Sequence, residues 1–144
     1  MGYVLRASGR WNRYGEYGCL YTAVSERGAV AEYRKVLTHV GLTPDADAPR
    51  DLVTIEVDAD PVLDLATDPF FESTGVPLSA LTGDSSADLE LCRTIADYAR
   101  SEGYVAIISP SAALPGEDNL NIYIDGRAAD LRLDVGSIRR SLNY

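Results

Sequence analysis

A glycine-rich loop near the start of the chain carries the first residues that could do chemistry, in the run Gly9-Arg10-Trp11-Asn12. Arginine holds a phosphate through two parallel hydrogen bonds, and glycine lets the backbone approach a ligand closely. The run therefore suggests that Arg10 binds an anionic ligand. It fits equally a surface turn in which Trp11 packs on the core.

Three further side chains could act at a reacting centre. The ring of Tyr21 can stack on an aromatic ligand and its hydroxyl can donate a hydrogen bond. The carboxylate of Glu32 can stabilise the positive charge that develops on a ribose when its N-glycosidic bond breaks. Ser111 follows a predicted strand, where functional side chains are common. Each residue also has an ordinary structural interpretation. Tyr21 fits a core tyrosine, Glu32 a solvated partner of Lys35 at i+3, and Ser111 a turn former.

These residues must be positioned by an α+β domain. Alternation of apolar and polar residues, and short apolar runs, predict the strands. A 3.6-residue period of apolar residues predicts two main helices. Residues 66–84 are predicted to be irregular and to contain at most one short helix. We expect one domain over residues 1–144 with a mixed or antiparallel sheet, which the last two strands complete. The predicted strands are 3–7, 19–24, 52–58, 62–65, 104–108, 120–124 and 131–135, and the predicted helices are 26–38 and 86–101.

The helix at 26–38 begins after Ser25, a favourable cap, and places Glu32 at the margin of its apolar face. A carboxylate in that place can face a cleft rather than open water. The helix at 86–101 buries Cys92 and turns its charged residues to water. The apolar face of the first helix comprises Ala29, Val30, Tyr33, Val36 and Leu37, and the water-facing residues of the second are Glu90, Arg93, Asp97 and Arg100.

Composition narrows the classes of function. The net charge of −9 argues against a nucleic-acid-binding surface, whereas the basic start of the chain, with Arg6, Arg10 and Arg13, suits a small anionic ligand. Acidic residues concentrate between positions 45 and 97, where they could meet a basic partner or simply keep the protein in solution.

Neither a metal site nor a membrane segment is expected. Cys19 and Cys92 stand apart from His39, the single histidine, and read as small core residues rather than zinc ligands. No apolar run approaches the roughly 18 residues of a membrane span, and the first residues lack the layout of a signal peptide. We expect a cytoplasmic protein without a bound metal.

The ordered set of motifs resembles the RES domain, a family named after arginine, glutamate and serine. The run GRWN is followed by an LYTA strand with a tyrosine, a helix with Ala-Glu, and a strand leading into PSA. The segments VTIEVDADPVLDLA, CRTIADYARSEGYVAIISPSA and GEDNLNIYID match further family features. The resemblance covers nearly all of residues 3–125 and implies a fold akin to ADP-ribosyltransferases.

The resemblance also implies what the site residues do. Arg10 binds the pyrophosphate of NAD⁺, Tyr21 stacks on or orients the nicotinamide–ribose end, Glu32 stabilises the ribosyl cation and Ser111 lines the nicotinamide or ribose site. Arg6 stands for a further arginine that family members carry upstream. The implied catalytic residues are Arg10, Tyr21, Glu32 and Ser111, and the implied NAD⁺-binding residues are Arg6, Arg10, Asn12, Tyr21 and Ser111.

The implied activity is that of a toxin that degrades NAD⁺, held in check by an Xre-family helix-turn-helix antitoxin. NAD⁺ is the substrate, phosphate is a candidate co-substrate, and no separate cofactor is implied. Direct contact with nucleic acid or membrane is not expected, and a homodimer within the toxin–antitoxin complex is left open. Transfer of ADP-ribose to a protein target and a non-catalytic interaction domain stay as alternatives.

Overall fold

A four-stranded mixed sheet organises the part of the chain that the computed structural model describes, which is residues 9–47, 49–124 and 131–142. The strand order is β1-β5-β4-β3; β3 and β4 run parallel, and the other neighbours run antiparallel. The predicted α+β class with a mixed sheet is confirmed. Arg6 and the predicted strand at 3–7 lie outside the described residues. The strands of this sheet are β1 (Cys19–Ala23), β3 (Val62–Asp64), β4 (Ala106–Pro110) and β5 (Asp118–Tyr123).

The two predicted main helices are α1 (Glu26–His39) and α4 (Ser86–Ser101). Each begins at a serine whose hydroxyl accepts a hydrogen bond from a first-turn amide: Ser25 from Gly28 at 3.0 Å and Ser85 from Asp88 at 3.1 Å. The segment predicted as irregular contains two short helices, α2 (Asp68–Thr74) and α3 (Leu78–Thr82). No helix of the described ranges is long and apolar enough to cross a membrane.

The strands β2 (Arg50–Ala59) and β6 (Leu131–Leu142) form a separate two-stranded antiparallel ribbon. The expectation that the last strand would complete the main sheet is therefore wrong. Alternation of apolar and polar residues shows which face of a strand is buried, but it does not show which strand is the partner. Here the two long strands satisfy each other's backbone hydrogen bonds over most of their length.

The hydrophobic core lies between the main sheet, α3, α4 and the loop that precedes β1. Trp11 from that loop is 2% exposed, and Cys19 and Cys92 are buried, as the sequence predicts. The core cluster comprises Trp11, Tyr17, Cys19, Leu65, Leu81, Cys92, Ala96, Ala99, Ile107 and Tyr123.

The charged face of α4 faces water only in part, which corrects the expectation of a fully solvated face: the side chains of Glu90 and Asp97 are 58% and 42% exposed, and a loop contacts both. The loop before β1 lies across this face, and Arg13 bonds Asp97 at 2.8 Å and both carboxylate oxygens of Glu90 at 2.8 and 3.0 Å. Arg93 donates to the carbonyl oxygen of Gly9 at 3.0 Å. In addition, the Arg100 guanidinium lies 4.3 Å from the centre of the Tyr17 ring. A helical period distinguishes the apolar face but cannot show that a distant loop partly covers the polar one.

Strand β4 begins two residues later than the predicted 104–108. Ser109 and Pro110 therefore belong to the strand, and Ser111 follows it directly. Ser109 is fully buried and accepts a hydrogen bond from Nδ2 of Asn121 on β5 at 2.9 Å. A run of apolar residues predicts the strand but not its polar end. Ser109 can lie there because its buried hydroxyl has a hydrogen-bond partner inside the sheet.

Candidate active site

The carboxylate of Glu32 is the centre of the candidate site. Its Oε1 accepts a hydrogen bond from Oγ of Ser111 at 2.8 Å and another from Nδ2 of Asn119 at 2.7 Å. No described residue donates to its Oε2, and Glu32 lines a cleft. The alternative in which Glu32 is paired with Lys35 is not what the structure shows, because Lys35 contacts Asp84 instead.

Two neighbouring strands of the main sheet hold this carboxylate. Ser111 comes directly after β4 and is 4% exposed, and its Oγ also accepts hydrogen bonds from the amides of Ala113 and Leu114, at 3.1 Å each. Asn119 lies in β5, opposite Ala23 of β1. Since helix α1 follows β1 directly, the short connection brings Glu32 over this end of the sheet. Ser111 is buried behind the carboxylate and positions it.

Tyr21 on β1 presents its ring to the same cleft while its hydroxyl points inward. The hydroxyl accepts a hydrogen bond from the Trp11 amide at 3.0 Å and donates one to Oδ1 of Asn12 at 2.6 Å. Burial raises the pKa of Tyr21 well above its usual value, so the hydroxyl stays protonated. The residue as a whole is 44% exposed. Its ring therefore remains available to a ligand, and its hydroxyl is occupied by the loop.

The loop residues predicted to bind an anion are engaged within the protein. Arg10 donates to the carbonyl oxygen of Gly83 at 2.5 Å and to Oδ1 of Asp84 at 2.7 Å. Asn12 is 2% exposed and supports the Tyr21 hydroxyl. Gly9 is required where the Tyr21 ring packs, because a Cβ there would overlap the hydroxyl oxygen. The loop thus connects Tyr21 to the turn between α3 and α4.

The cleft has a volume of about 1580 Å³ and runs between α1 and β1 on one side and the ribbon on the other. The apolar face of α1 forms one wall, which corrects the expectation that this face packs in the core: Val36 is 61% exposed, and Leu37 alone of the predicted set is buried. The ribbon stands opposite this face instead of packing on it. Tyr33, predicted for the core, lines the cleft too.

The ribbon brings two arginines to the cleft. Arg139 bonds Glu26 of α1 at 2.5 Å, and Arg50 bonds Asp47 at 2.8 and 3.0 Å. The Asp47 carboxylate also accepts a hydrogen bond from the Tyr33 hydroxyl at 2.7 Å. These contacts tie the ribbon to α1 and give the far wall of the cleft cationic groups.

The structure brings Glu32, Ser111 and Tyr21 to one end of the sheet and places Arg10 beside them through the loop. Asn119 was missed as a site residue. Its signal was the alternation of Asn119 and Asn121 in a strand, which places two amides on one face. Within the described ranges, histidine, cysteine, aspartate and glutamate nowhere gather in a group of three that could hold a metal ion.

Comparison with known proteins decides the family. The RES domain family matches residues 1–141 of this chain. The chain belongs to the RES domain family. This confirms the resemblance drawn from the motifs, and the match extends across Glu32 and Ser111 as well as the two helices. The roles assigned to individual site residues stay predictions.

Two similar proteins come from Mycobacterium tuberculosis. This RES domain is 32% identical over 122 residues to a protein named probable NAD(+) phosphorylase Rv3189, with 83% of this chain and 55% of the relative covered. The chain thus spans about half the length of that relative. The fold is shared with a chain in the crystal structure of the MbcT-MbcA toxin-antitoxin complex, with a TM-score of 0.76 at 22% identity over 95% of this chain and 73% of that chain.

Proposed function

We propose that this RES domain cleaves NAD⁺ between nicotinamide and ribose, with water or phosphate as the acceptor, and acts as the toxin of a toxin–antitoxin pair. The observation that carries the proposal is the Glu32 carboxylate, fixed at the wall of the cleft by Ser111 and Asn119. The name of the mycobacterial relative, a probable NAD(+) phosphorylase, supports the choice of substrate.

The reaction breaks the bond between C1′ of the ribose and the ring nitrogen of nicotinamide. The bonding electrons leave with nicotinamide, which becomes neutral, and positive charge develops on the ribose. Glu32 stabilises that charge, because a fixed anion next to a developing cation lowers the energy of the transition state. An oxygen of water or phosphate then bonds to C1′. Water yields ADP-ribose and releases a proton, whereas phosphate yields a phosphorylated ADP-ribose.

The two hydrogen bonds to Glu32 have a defined purpose in this reaction. Both reach Oε1, so they orient the carboxylate and leave Oε2 for the ribose. A preoriented carboxylate needs no reorganisation when the charge develops. The open ring face of Tyr21 is suited to stack on the nicotinamide, since its hydroxyl is held by Asn12 and Trp11.

The proposed partner is an Xre-family helix-turn-helix antitoxin. The shared fold with a chain of a solved toxin-antitoxin complex supports an antitoxin as the partner. The net charge of −9 suits a basic DNA-binding partner. Expression of the RES domain alone should arrest growth, and coexpression with the antitoxin should restore it.

The deciding experiment follows nicotinamide release from NAD⁺ by the purified protein, with and without phosphate. Glu32→Gln keeps the shape of the side chain and an acceptor for Ser111 and Asn119, so it should fold normally yet lose several orders of magnitude in rate. The matched control is Glu102→Gln, at an exposed position after α4, which should keep full activity.

The possible outcomes separate the alternatives. Release that requires Glu32 supports cleavage, and its dependence on phosphate identifies the acceptor. Release that occurs only when an acceptor protein becomes labelled would favour ADP-ribosyl transfer. A folded protein that neither releases nicotinamide nor labels a target would contradict the enzymatic proposal and favour an interaction domain.

A further inference from the structure

One exposed carboxylate, Asp84, lies between two cations from different parts of the fold. Nη2 of Arg10 contacts its Oδ1 at 2.7 Å, and Nζ of Lys35 contacts both of its oxygens at 3.1 Å. Arg10 belongs to the loop before β1, Lys35 to α1, and Asp84 to the turn between α3 and α4. Two cations on one carboxylate leave an excess of one positive charge.

The arginine is held in place independently of Asp84. Its Nη1 donates to the carbonyl oxygen of Gly83 at 2.5 Å, and its Nη2 lies 3.5 Å from that of Thr82. The Arg10 side chain is only 12% exposed, whereas that of Asp84 is 64% exposed. The guanidinium is thus fixed and the carboxylate stands at the surface, where it can turn away into water.

Lys35 connects this cluster to the reacting end of the site. It lies three residues after Glu32 on the same helix, and residues at that spacing are neighbours on a helix surface. Its Nζ also lies 3.4 Å from the carbonyl oxygen of Ala112, the residue after Ser111. Lys35 therefore joins the cluster at Asp84 to the loop that holds the Glu32 carboxylate.

We propose that Arg10 and Lys35 form a clamp for phosphoryl oxygens and that Asp84 is its internal, displaceable occupant. The inference rests on the proposed cleavage of NAD⁺ and extends it to a second cation and a competitor within the chain. In NAD⁺ a single ribose separates the bond that breaks from the diphosphate. A phosphate clamp one helix turn from Glu32 matches that separation. The oxygens come either from the diphosphate of NAD⁺ or from inorganic phosphate as acceptor.

The charges of the groups involved favour replacement of the Asp84 carboxylate by a phosphate group. Lys35 and Arg10 hold the pKa of Asp84 below its usual range, so the carboxylate is ionised and occupies the clamp at neutral pH. Exposed ion pairs contribute little to stability, so displacing the Asp84 carboxylate from Arg10 and Lys35 costs little free energy. A phosphate group brings more charge and more acceptor oxygens than a carboxylate, and guanidinium geometry suits it.

The test measures the KM for NAD⁺ and the KM for phosphate in wild type and three variants. Asp84→Asn removes the competing charge and should lower the KM for the ligand that uses the clamp by about two- to fivefold, the range that an exposed ion pair allows. Lys35→Met keeps the aliphatic stem and should raise the same KM by at least a similar factor. The matched control, Asp134→Asn, removes another arginine-paired carboxylate, on β6 and away from the clamp, and should change neither KM.

The identity of the ligand follows from which KM responds. A response confined to NAD⁺ assigns the clamp to the diphosphate, and one confined to phosphate assigns it to the acceptor. If Asp84→Asn leaves both KM values unchanged or raises them, the clamp proposal is wrong even though the enzyme cleaves NAD⁺.

Direct binding of inorganic pyrophosphate, measured by calorimetry, keeps the test independent of catalysis. Tighter binding by Asp84→Asn and weaker binding by Lys35→Met would support the clamp even if wild type released no nicotinamide. No binding by either wild type or Asp84→Asn would overturn it. Circular dichroism of each variant excludes a folding defect as the cause.

Discussion

Ser111 donates a hydrogen bond of 2.8 Å to Oε1 of Glu32 across 79 residues of chain. The contact joins the end of a central strand to the middle of α1 and decides which way the carboxylate points. The same hydroxyl accepts hydrogen bonds from the amides of Ala113 and Leu114 and so closes the turn that follows β4. A single side chain thus organises both the loop and the proposed catalytic group.

Ser111→Ala should therefore lower kcat. A hydrogen bond to a charged group contributes roughly 1.5–3 kcal/mol, so its loss from an oriented carboxylate corresponds to about a ten- to hundredfold decrease. Steady-state nicotinamide release measures the effect. Ser101→Ala, at an exposed position near the end of α4, is the control and should keep wild-type kcat. Full activity in Ser111→Ala would show that Asn119 alone orients Glu32.

Tyr21→Phe should reduce stability more than it reduces catalysis. The change removes the acceptor of the buried Trp11 amide and a donor to Asn12, and an unsatisfied buried group costs roughly 1–3 kcal/mol. The ring, which faces the cleft, is retained. Urea unfolding gives the stability and nicotinamide release gives the rate. Unchanged stability with a collapsed rate would mean that the hydroxyl acts on the substrate.

Gly9→Ala should impair both folding and activity, because a Cβ at this position would overlap the Tyr21 hydroxyl and ring carbons. The loop and Tyr21 cannot both keep their places. Gly136→Ala in the ribbon is a fitting control: its Cβ would meet nothing closer than the Thr54 carbonyl oxygen at 3.3 Å. Comparison of the urea midpoints of the two variants checks this prediction. Equal midpoints would show that the loop adapts to the added carbon.

The local parts of the fold were predictable because their causes are local. Ser25 and Ser85 cap the two long helices. Between each cap and the end of its helix, apolar residues recur with the period of an α-helix, which predicts helical structure. Glu32 was a candidate because it lies at the margin of the apolar face of its helix. The ribbon was not predictable, since strand partners are chosen by register and packing over the whole chain rather than by alternation within one strand.

The missed parts of the candidate site share one cause, which is pairing across long stretches of sequence. Arg10 and Lys35 both meet Asp84 only in the folded chain, so the sequence does not show that Arg10 has a partner within the protein. Asn119 lies just before the predicted strand 120–124, and its approach to Glu32 depends on where α1 crosses the sheet. Residue types suggested the chemistry, and tertiary contacts decided which groups hold one another.

Acid should loosen the loop before β1 through its ion pair with α4. Hydrogen bonds from Arg13 hold the pKa of Glu90 below its ordinary value of 4.5. A carboxylate with a depressed folded pKa stabilises the fold fully above its unfolded pKa and loses that contribution as the pH falls through the folded value. Glu90→Gln lacks the contribution at every pH. The difference in urea midpoint between wild type and Glu90→Gln should therefore be constant at neutral pH and shrink below about pH 4.5. A difference that persists undiminished well below that pH would show that the Arg13–Glu90 contact adds no charge-dependent stability.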